Sequence, residues 1–157
     1  MLDKMNEYMV KKWLSLLGLL LGLQAFAANT INPDKVYDSS IKTIRVHPMG
    51  NALAIPVISL SQMNPLEISF DDLKAKYQNY FYSVELMNAD WHSANLSVFD
   101  YLQGFNQNRI TQYSISSIAI QPYYHYKFTF PNTNCRPTKS GNYIIKVYKD
   151  SNPQKVV

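Results

Sequence analysis

The sequence predicts an all-β fold, an immunoglobulin-like β-sandwich of about seven strands preceded by a signal-peptide helix. Two features of composition support it: 17% of the residues are charged, and 13% are aromatic, with twelve tyrosines among 157 residues. Tyr, Val, Ile and Phe fit the half-buried surface of a sheet. The third observation is that short apolar runs are separated by turn signals about every ten residues, a spacing typical of a sandwich.

The first 27 residues have the three parts of a cleavable secretory signal peptide. Lys11 and Lys12 form a basic start, residues 13–23 are Leu-rich and apolar, and an A-x-A site ends at Ala27. The apolar run is too short to span a bilayer comfortably. We therefore expect cleavage between Ala27 and Ala28, and export of the remaining chain.

A polar lead-in over residues 28–40 is expected to precede one sandwich domain over residues 41–157. Within residues 80–87, both alternating faces carry apolar groups, which predicts a central strand. Pro56 lies inside another predicted strand and favours an edge or a bulge there. The predicted strands cover residues 41–46, 53–60, 66–70, 80–87, one or two stretches within 110–120, 124–130 and 142–149.

Residues 139–145 resemble the start of the sixth strand of immunoglobulin-like domains. Gly141 and Tyr143 supply a Gly-x-Tyr pattern, in which the tyrosine hydroxyl bonds a nearby backbone carbonyl in a tyrosine corner. An ordinary turn into a strand is the alternative.

The connection over residues 88–109 is unusually rich in large side chains for a solvated loop. One interpretation is that Trp91 is buried and Asp90 bonds backbone amides, so that the loop is fixed onto the sandwich. Residues 97–104 are predicted to form a short helical turn, because Ser97 suits an N-cap and Gly104 a stop.

Four large residues of this connection are the candidate partner-binding set, because functional residues concentrate on loops. The alternative is that the same residues cap the core. The four residues are Phe99, Tyr101, Leu102 and Phe105.

No pattern indicates a catalytic, cofactor-binding or metal site. His47, His92 and His125 are far apart in sequence, and a single cysteine leaves no zinc-binding set. Asp71 and Asp72 are adjacent on a strand end, so they should point apart rather than converge on a substrate. The net charge of +4 is dispersed, which argues against nucleic acid.

The single cysteine, Cys135, is interpreted as a loop or partly buried thiol without function, and an intermolecular disulfide is the alternative. Two tyrosine clusters have two interpretations as well. They are cross-strand aromatic pairs within the sheets, or platforms that stack on sugar rings. These residues are Tyr77, Tyr80, Phe81, Tyr82, Tyr123, Tyr124 and Tyr126.

Nearly all of residues 41–150 resemble the N-terminal region of the type IX secretion system plug protein family, formerly a domain of unknown function. Several short stretches carry the resemblance through their order and spacing. They include 47–51 (HPMGN), 69–73 (SFDDL), 88–91 (NADW), 99–105 (FDYLQGF) and 140–143 (SGNY).

The resemblance implies a non-enzymatic periplasmic protein, peripherally associated with the outer membrane. Its implied partner is the outer-membrane translocon barrel, whose periplasmic opening it occludes, with no small-molecule substrate. Because family members are longer, we expect the sandwich domain to be truncated at its C-terminus, where the next strand should begin near Val156. A carbohydrate-binding or adhesion module is the alternative, and an enzyme fragment that lacks its catalytic part is a third.

Overall fold

Within the residues that the computed structural model describes (34–62, 64–116, 118 and 120–157), the chain forms nine strands and one short helix. The helix, α1, spans Val98–Tyr101. The strands are β1 (Ile41–Pro48), β2 (Leu66–Asp72), β3 (Tyr80–Met87), β4 (Leu102–Gly104), β5 (Asn108–Arg109), β6 (Gln112–Ile115), β7 (Tyr124–Phe130), β8 (Cys135–Pro137) and β9 (Asn142–Lys149).

The expected signal peptide, its cleavage site at Ala27 and Ala28, and residues 28–33 of the lead-in lie outside the described residues. Among the residues that are described, no helix is long and apolar enough to cross a membrane.

All strand pairs are antiparallel, and they form three sheets. The largest has the strand order β1-β2-β7-β6, the second has the order β5-β3-β9, and β4 pairs with β8 in a small third sheet. The strand β3 has β5 on one side and β9 on the other, so the predicted central position is confirmed.

Aromatic side chains join the two larger sheets. Tyr82 of β3 stacks on Phe128 of β7 with ring centroids 4.4 Å apart. Tyr80 meets Tyr126 edge-on at 4.8 Å and Phe70 at 5.1 Å. All five side chains are buried. Offset-stacked and edge-to-face pairs add to the burial of apolar area, so these residues form the core that holds the sandwich together and confirm the all-β prediction.

One predicted strand is wrong. Residues 53–60 form no strand, and their alternating apolar side chains are exposed instead of buried. The local chain turns: Pro56 cannot donate a ladder hydrogen bond, and the N–H of Val57 donates to the carbonyl of Ile55 at 2.8 Å. Three strands of two or three residues, β4, β5 and β8, were not predicted.

The turn before β9 has the geometry of a tyrosine corner. The hydroxyl of Tyr143 donates to the backbone carbonyl of Lys139 at 2.7 Å. Gly141 suits this turn because its φ of +154° is one that other residues rarely adopt, and a Cβ there would also lie 2.7 Å from Cδ1 of Leu86. This bond fixes the entry of the chain into β9, opposite Leu86 of β3.

Candidate partner-binding face

The one-turn helix α1 determines which residues of the connection between β3 and β5 face solvent. The carboxylate of Asp100 accepts a hydrogen bond from the N–H of Ser97 at 3.1 Å, as in one half of a capping box. Val98 packs against the core, and the following Phe99 is 88% exposed. A single turn therefore places two successive large residues in opposite environments.

Tyr101 and Leu102 are core residues, so their predicted contact with a partner is wrong. Both are 3% exposed. The hydroxyl of Tyr101 lies 3.4 Å from the carbonyl of Val84, and Leu102 pairs with Pro137 in the β4–β8 ladder. The chain changes from helix to strand between these two residues, and the change turns both inward.

Phe105 is the second predicted residue that remains available to a partner, with 72% of its surface exposed. It follows Gly104, whose φ of +102° lies in the region that favours glycine. The N–H of Phe105 donates to the carbonyl of Asn134 at 2.8 Å. This bond fixes the backbone while the ring projects into solvent.

Trp91 is 48% exposed, so the interpretation in which its ring is buried is wrong. The turn around it closes locally instead: the carbonyl of Asn88 accepts from the N–H of Trp91 at 3.2 Å, and its side-chain oxygen accepts from the N–H of His92 at 2.9 Å. Asp90 accepts a long bond of 3.4 Å from the backbone N–H of His92, and its other carboxylate oxygen lies 3.1 Å from Nδ1 of the same residue. Because these hydrogen bonds fix the backbone of the turn, burial of the Trp91 indole is not needed to order it.

The loop over residues 49–65, between β1 and β2, carries an apolar surface that the sequence pattern did not identify. Leu53, Ile55 and Val57 are 98%, 78% and 71% exposed. The N–H of Met49 donates to the carbonyl of Pro65 at 2.9 Å and closes the base of the loop. Pro56, at the centre of this run, was the one sequence signal against a buried strand.

The 49–65 loop and the Trp91 turn lie at the same end of the sandwich, which we call the Met87 end. The loop follows β1 and ends where β2 begins, at Leu66, which pairs with Phe130 of β7. The Trp91 turn follows Met87, the last residue of β3. The rings of Phe130 and Tyr143 are 6.4 Å apart and bring the corresponding ends of the two sheets together. The loop and the turn therefore present exposed apolar side chains at one end of the domain.

The opposite end, the Tyr80 end, is built from charged and polar groups. Asp72 is fully buried; its carboxylate accepts from the hydroxyl of Tyr80 at 2.8 Å and from the N–H of Lys74 at 3.0 Å. Asp38 of the lead-in pairs with Lys74 at 2.7 Å and with Lys149 at 2.5 Å. These bonds fix the lead-in to the ends of β2 and β9.

Asp38 should make the stability of the domain dependent on acid pH. Hydrogen bonds from Lys149, Lys74 and Ser40 hold the pKa of Asp38 below its ordinary value of 3.8. Its stabilising effect is therefore fully present well above pH 3.8 and is lost progressively as the pH falls below that value. Asp38→Asn should lower the free energy of unfolding by about 1–2 kcal/mol at neutral pH. The loss is no larger because the carboxylate is partly exposed and solvent screens its charge.

The measurement is urea unfolding of the wild type and of Asp38→Asn between neutral pH and pH of about 2. The difference in free energy of unfolding should shrink through the acid range. A difference that stays constant down to the lowest pH would assign the loss to packing rather than to charge.

The described residues contain no group of three or more His, Cys, Asp or Glu side chains that could hold a metal. Asp71 and Asp72 point apart: Asp71 pairs with His125 at 2.7 Å, whereas Asp72 faces the core. Cys135 lies in β8 and is fully buried, and burial raises the pKa of its thiol to about 11. A protonated, enclosed thiol is a poor partner for an intermolecular disulfide.

Three of the seven predicted sugar-stacking residues are not accessible. Tyr80, Tyr82 and Tyr126 are at most 2% exposed. Tyr80, Tyr82 and Tyr126 therefore act as interior aromatic pairs, as the first of the two interpretations proposed.

A polar cleft of about 250 Å³ lies elsewhere in the domain. The ion pair of Glu85 with Lys146 contributes to its lining.

Fold and site together define the class: an antiparallel β-sandwich domain that presents apolar side chains on its loops. A sequence profile of the type 9 secretion system plug protein 1st domain matches residues 41–157. The chain belongs to this family, and the resemblance found from the sequence is confirmed. It is therefore related to an envelope-associated component of type IX secretion, and the family is not an enzyme family.

A solved structure supports the fold. The crystal structure of a hypothetical protein from Parabacteroides merdae is 34% identical, with a TM-score of 0.72. The match covers 76% of this chain and 30% of that chain, so the matched part spans less than a third of that chain. No curated protein matched the sequence.

Proposed function

We propose that this chain is a non-enzymatic component of the type IX secretion system that works in the periplasm. It binds the outer-membrane translocon barrel and contributes to closing the barrel's periplasmic opening between substrates. A water-filled opening of protein size would otherwise leak, and a folded domain seated against it needs no chemical step to prevent this.

The observation that carries this proposal is the exposure of large apolar side chains on structured loops. Phe99 and Phe105 are 88% and 72% exposed on the segment that the sequence singled out. At the Met87 end, Leu53 and Trp91 are 98% and 48% exposed. Aromatic side chains dominate the binding energy of protein interfaces, and exposed apolar patches on a folded domain mark such interfaces.

The backbone around these residues is well held, which favours a preformed binding surface. Ser97 and Asp100 fix α1, Gly104 is held against Asn134, and Asn88 closes the Trp91 turn. A surface that is already ordered loses little conformational freedom when it binds. The family match supports the choice of a secretion-system component as the partner.

The experiment that tests occlusion is an outer-membrane permeability assay in the native bacterium. Deleting the gene for this protein should increase entry of vancomycin, which is too large and polar to cross an intact outer membrane. Deleting the barrel as well should remove the increase, because the leak passes through the barrel. Unchanged entry after the first deletion, or a leak that persists without the barrel, would contradict the proposal.

A further inference from the structure

The strand β6 forms one edge of the largest sheet. It pairs with β7 through residues Gln112 to Ile115 and, among the described residues, has no strand on its other side. An edge strand presents unpaired backbone groups, on which another chain can add a strand. The position of β6 therefore raises the question of what this edge binds.

The alternation of the ladder shows which backbone groups are free. The N–H of Ser116 donates to the carbonyl of Tyr123 at 3.0 Å, just beyond the end of β6. In an antiparallel pair, every second residue bonds the neighbouring strand. Gln112 and Ser114 therefore bond β7, whereas the N–H and C=O groups of Tyr113 and Ile115 point outward.

Two other sheet edges, β1 and β9, are protected against strand addition, and β6 is not. The β1 edge carries Lys42 and Arg45 with a shift of register between them. The β9 edge is partly paired, since Val156 bridges Tyr148. Charges, irregular register and coverage are the usual protections. By contrast, β6 has the sequence QYSI, without charge, proline or a shift of register.

The side chains of β6 extend the core-facing surface of the sheet beyond the area that the second sheet covers. Tyr113 pairs with the buried Tyr126 and is itself 48% exposed, and Ile115 is 59% exposed. The ring of Tyr113 lies 5.0 Å from Tyr77 and 5.9 Å from Tyr124. The result is an aromatic and apolar shelf next to the free edge.

Positive charge lies on both sides of this edge. Lys127 is exposed and pairs with Gln112, and the guanidinium of Arg109 donates to the hydroxyl of Tyr77 at 3.0 Å. Three carboxylates lie nearby in the sheet: Asp71 pairs with His125 at 2.7 Å, Asp72 is buried, and Glu67 lies 4.0 Å from Nε2 of His47. Among the described residues, neither Lys127 nor Arg109 forms an ion pair with any of them, so both cations can pair with carboxylates that a partner brings.

We propose that the free edge of β6 accepts an extended segment of a partner protein as an added strand, with acidic and apolar residues in alternation. The alternation follows from the period of two along a strand. One face of the added strand would cover Tyr113 and Ile115, and the other would approach Lys127. A second copy of this chain would bring another uncharged edge and no carboxylate, so it fits less well.

The test uses ¹⁵N NMR of the folded chain with a capped hexapeptide that repeats glutamate and valine. Binding should shift the amide signals of Tyr113 and Ile115 and slow their hydrogen exchange. A matched peptide that repeats lysine and valine should bind at least about tenfold more weakly, and added salt should weaken the binding of the acidic peptide.

Two substitutions separate the backbone from the side chain. Ile115→Pro removes an outward N–H and should weaken binding of the acidic peptide by about tenfold, whereas Ile115→Ala keeps this N–H and should lose much less. If Ile115→Pro does not fold, the pair Arg109→Gln and Lys127→Gln replaces it and must remove the preference for the acidic peptide.

Three outcomes would overturn the proposal: equal binding of the acidic and basic peptides, unchanged binding to folded Ile115→Pro, or signal shifts that lie outside β6 and its neighbours. A dimer of the free chain that Ile115→Pro abolishes would also overturn it, since the edge would then belong to a second copy. The proposal does not depend on contact with the barrel, and its surface is separate from Phe99 and Phe105.

Discussion

Replacing Gly104 with Ala is expected to destabilise the domain by about 2–4 kcal/mol. A Cβ at this position would lie 2.1 Å from the carbonyl oxygen of Asn134 and 2.8 Å from its carbon. The obstacle is backbone, which cannot move aside as a flexible side chain would. In addition, the φ of +102° is unfavourable for alanine.

Gly50→Ala is the matched control for this substitution. Gly50 also has a positive φ, of +82°, but a Cβ there meets nothing within 4 Å. Gly50→Ala should therefore lower the free energy of unfolding by only about 1 kcal/mol, from backbone strain alone. Urea unfolding of both variants gives the comparison. Equal losses would mean that the close approach of Gly104 to Asn134 does not matter for stability.

Replacing Asp72 with Leu is expected to cost about 2–5 kcal/mol. The fully buried carboxylate accepts hydrogen bonds from the hydroxyl of Tyr80 and from the N–H of Lys74. Leucine has the same branched shape and a larger volume, and it leaves both donors without an acceptor. Since burial and the bond to Asp72 raise the pKa of Tyr80, its hydroxyl stays protonated and needs that acceptor.

Asp72→Asn tests whether hydrogen bonding or charge is responsible. Its amide oxygen can still accept from Lys74, and its NH₂ can donate to the hydroxyl oxygen of Tyr80. It should therefore retain most of the stability that leucine loses. Thermal and urea unfolding of the two variants would show this, and an equal loss in both would indicate that the negative charge itself is needed.

The strands that were predicted correctly share one property. The alternation of their side chains determines which face of each strand is directed toward the core. In β3, Tyr80 and Tyr82 face the other sheet, and this pattern is visible without any knowledge of the fold. The short strands β4 and β5 have too few residues to show a period. Their pairing is set by neighbours that are distant in sequence, such as Asn134 against Gly104, so the sequence alone did not indicate them.

The candidate site was predicted in part, for physical reasons that differ between residues. Large side chains in a loop suggested a contact surface, but composition does not distinguish the exposed Phe99 from the buried Tyr101. The alternation of Leu53 and Ile55 predicted a strand, because an alternating pattern is the same for a buried and an exposed segment. Asp72 was predicted only to end a strand, since nothing local shows that one of two adjacent carboxylates is buried.

The central claim is that exposed aromatic residues of this domain bind the translocon barrel. The most direct measurement is co-purification of the barrel with the tagged protein from native membranes, comparing the wild type with Phe99→Ser/Phe105→Ser. Because both rings are exposed, the double variant should keep its circular dichroism and its Tm while binding is lost.

The matched control is Ile44→Ser/Val46→Ser, which removes two apolar side chains of β1 that are 50% and 40% exposed. This control should bind the barrel as the wild type does. Of the two double variants, only Phe99→Ser/Phe105→Ser should abolish co-purification of the barrel. Undiminished recovery of the barrel with a correctly folded Phe99→Ser/Phe105→Ser protein would contradict it.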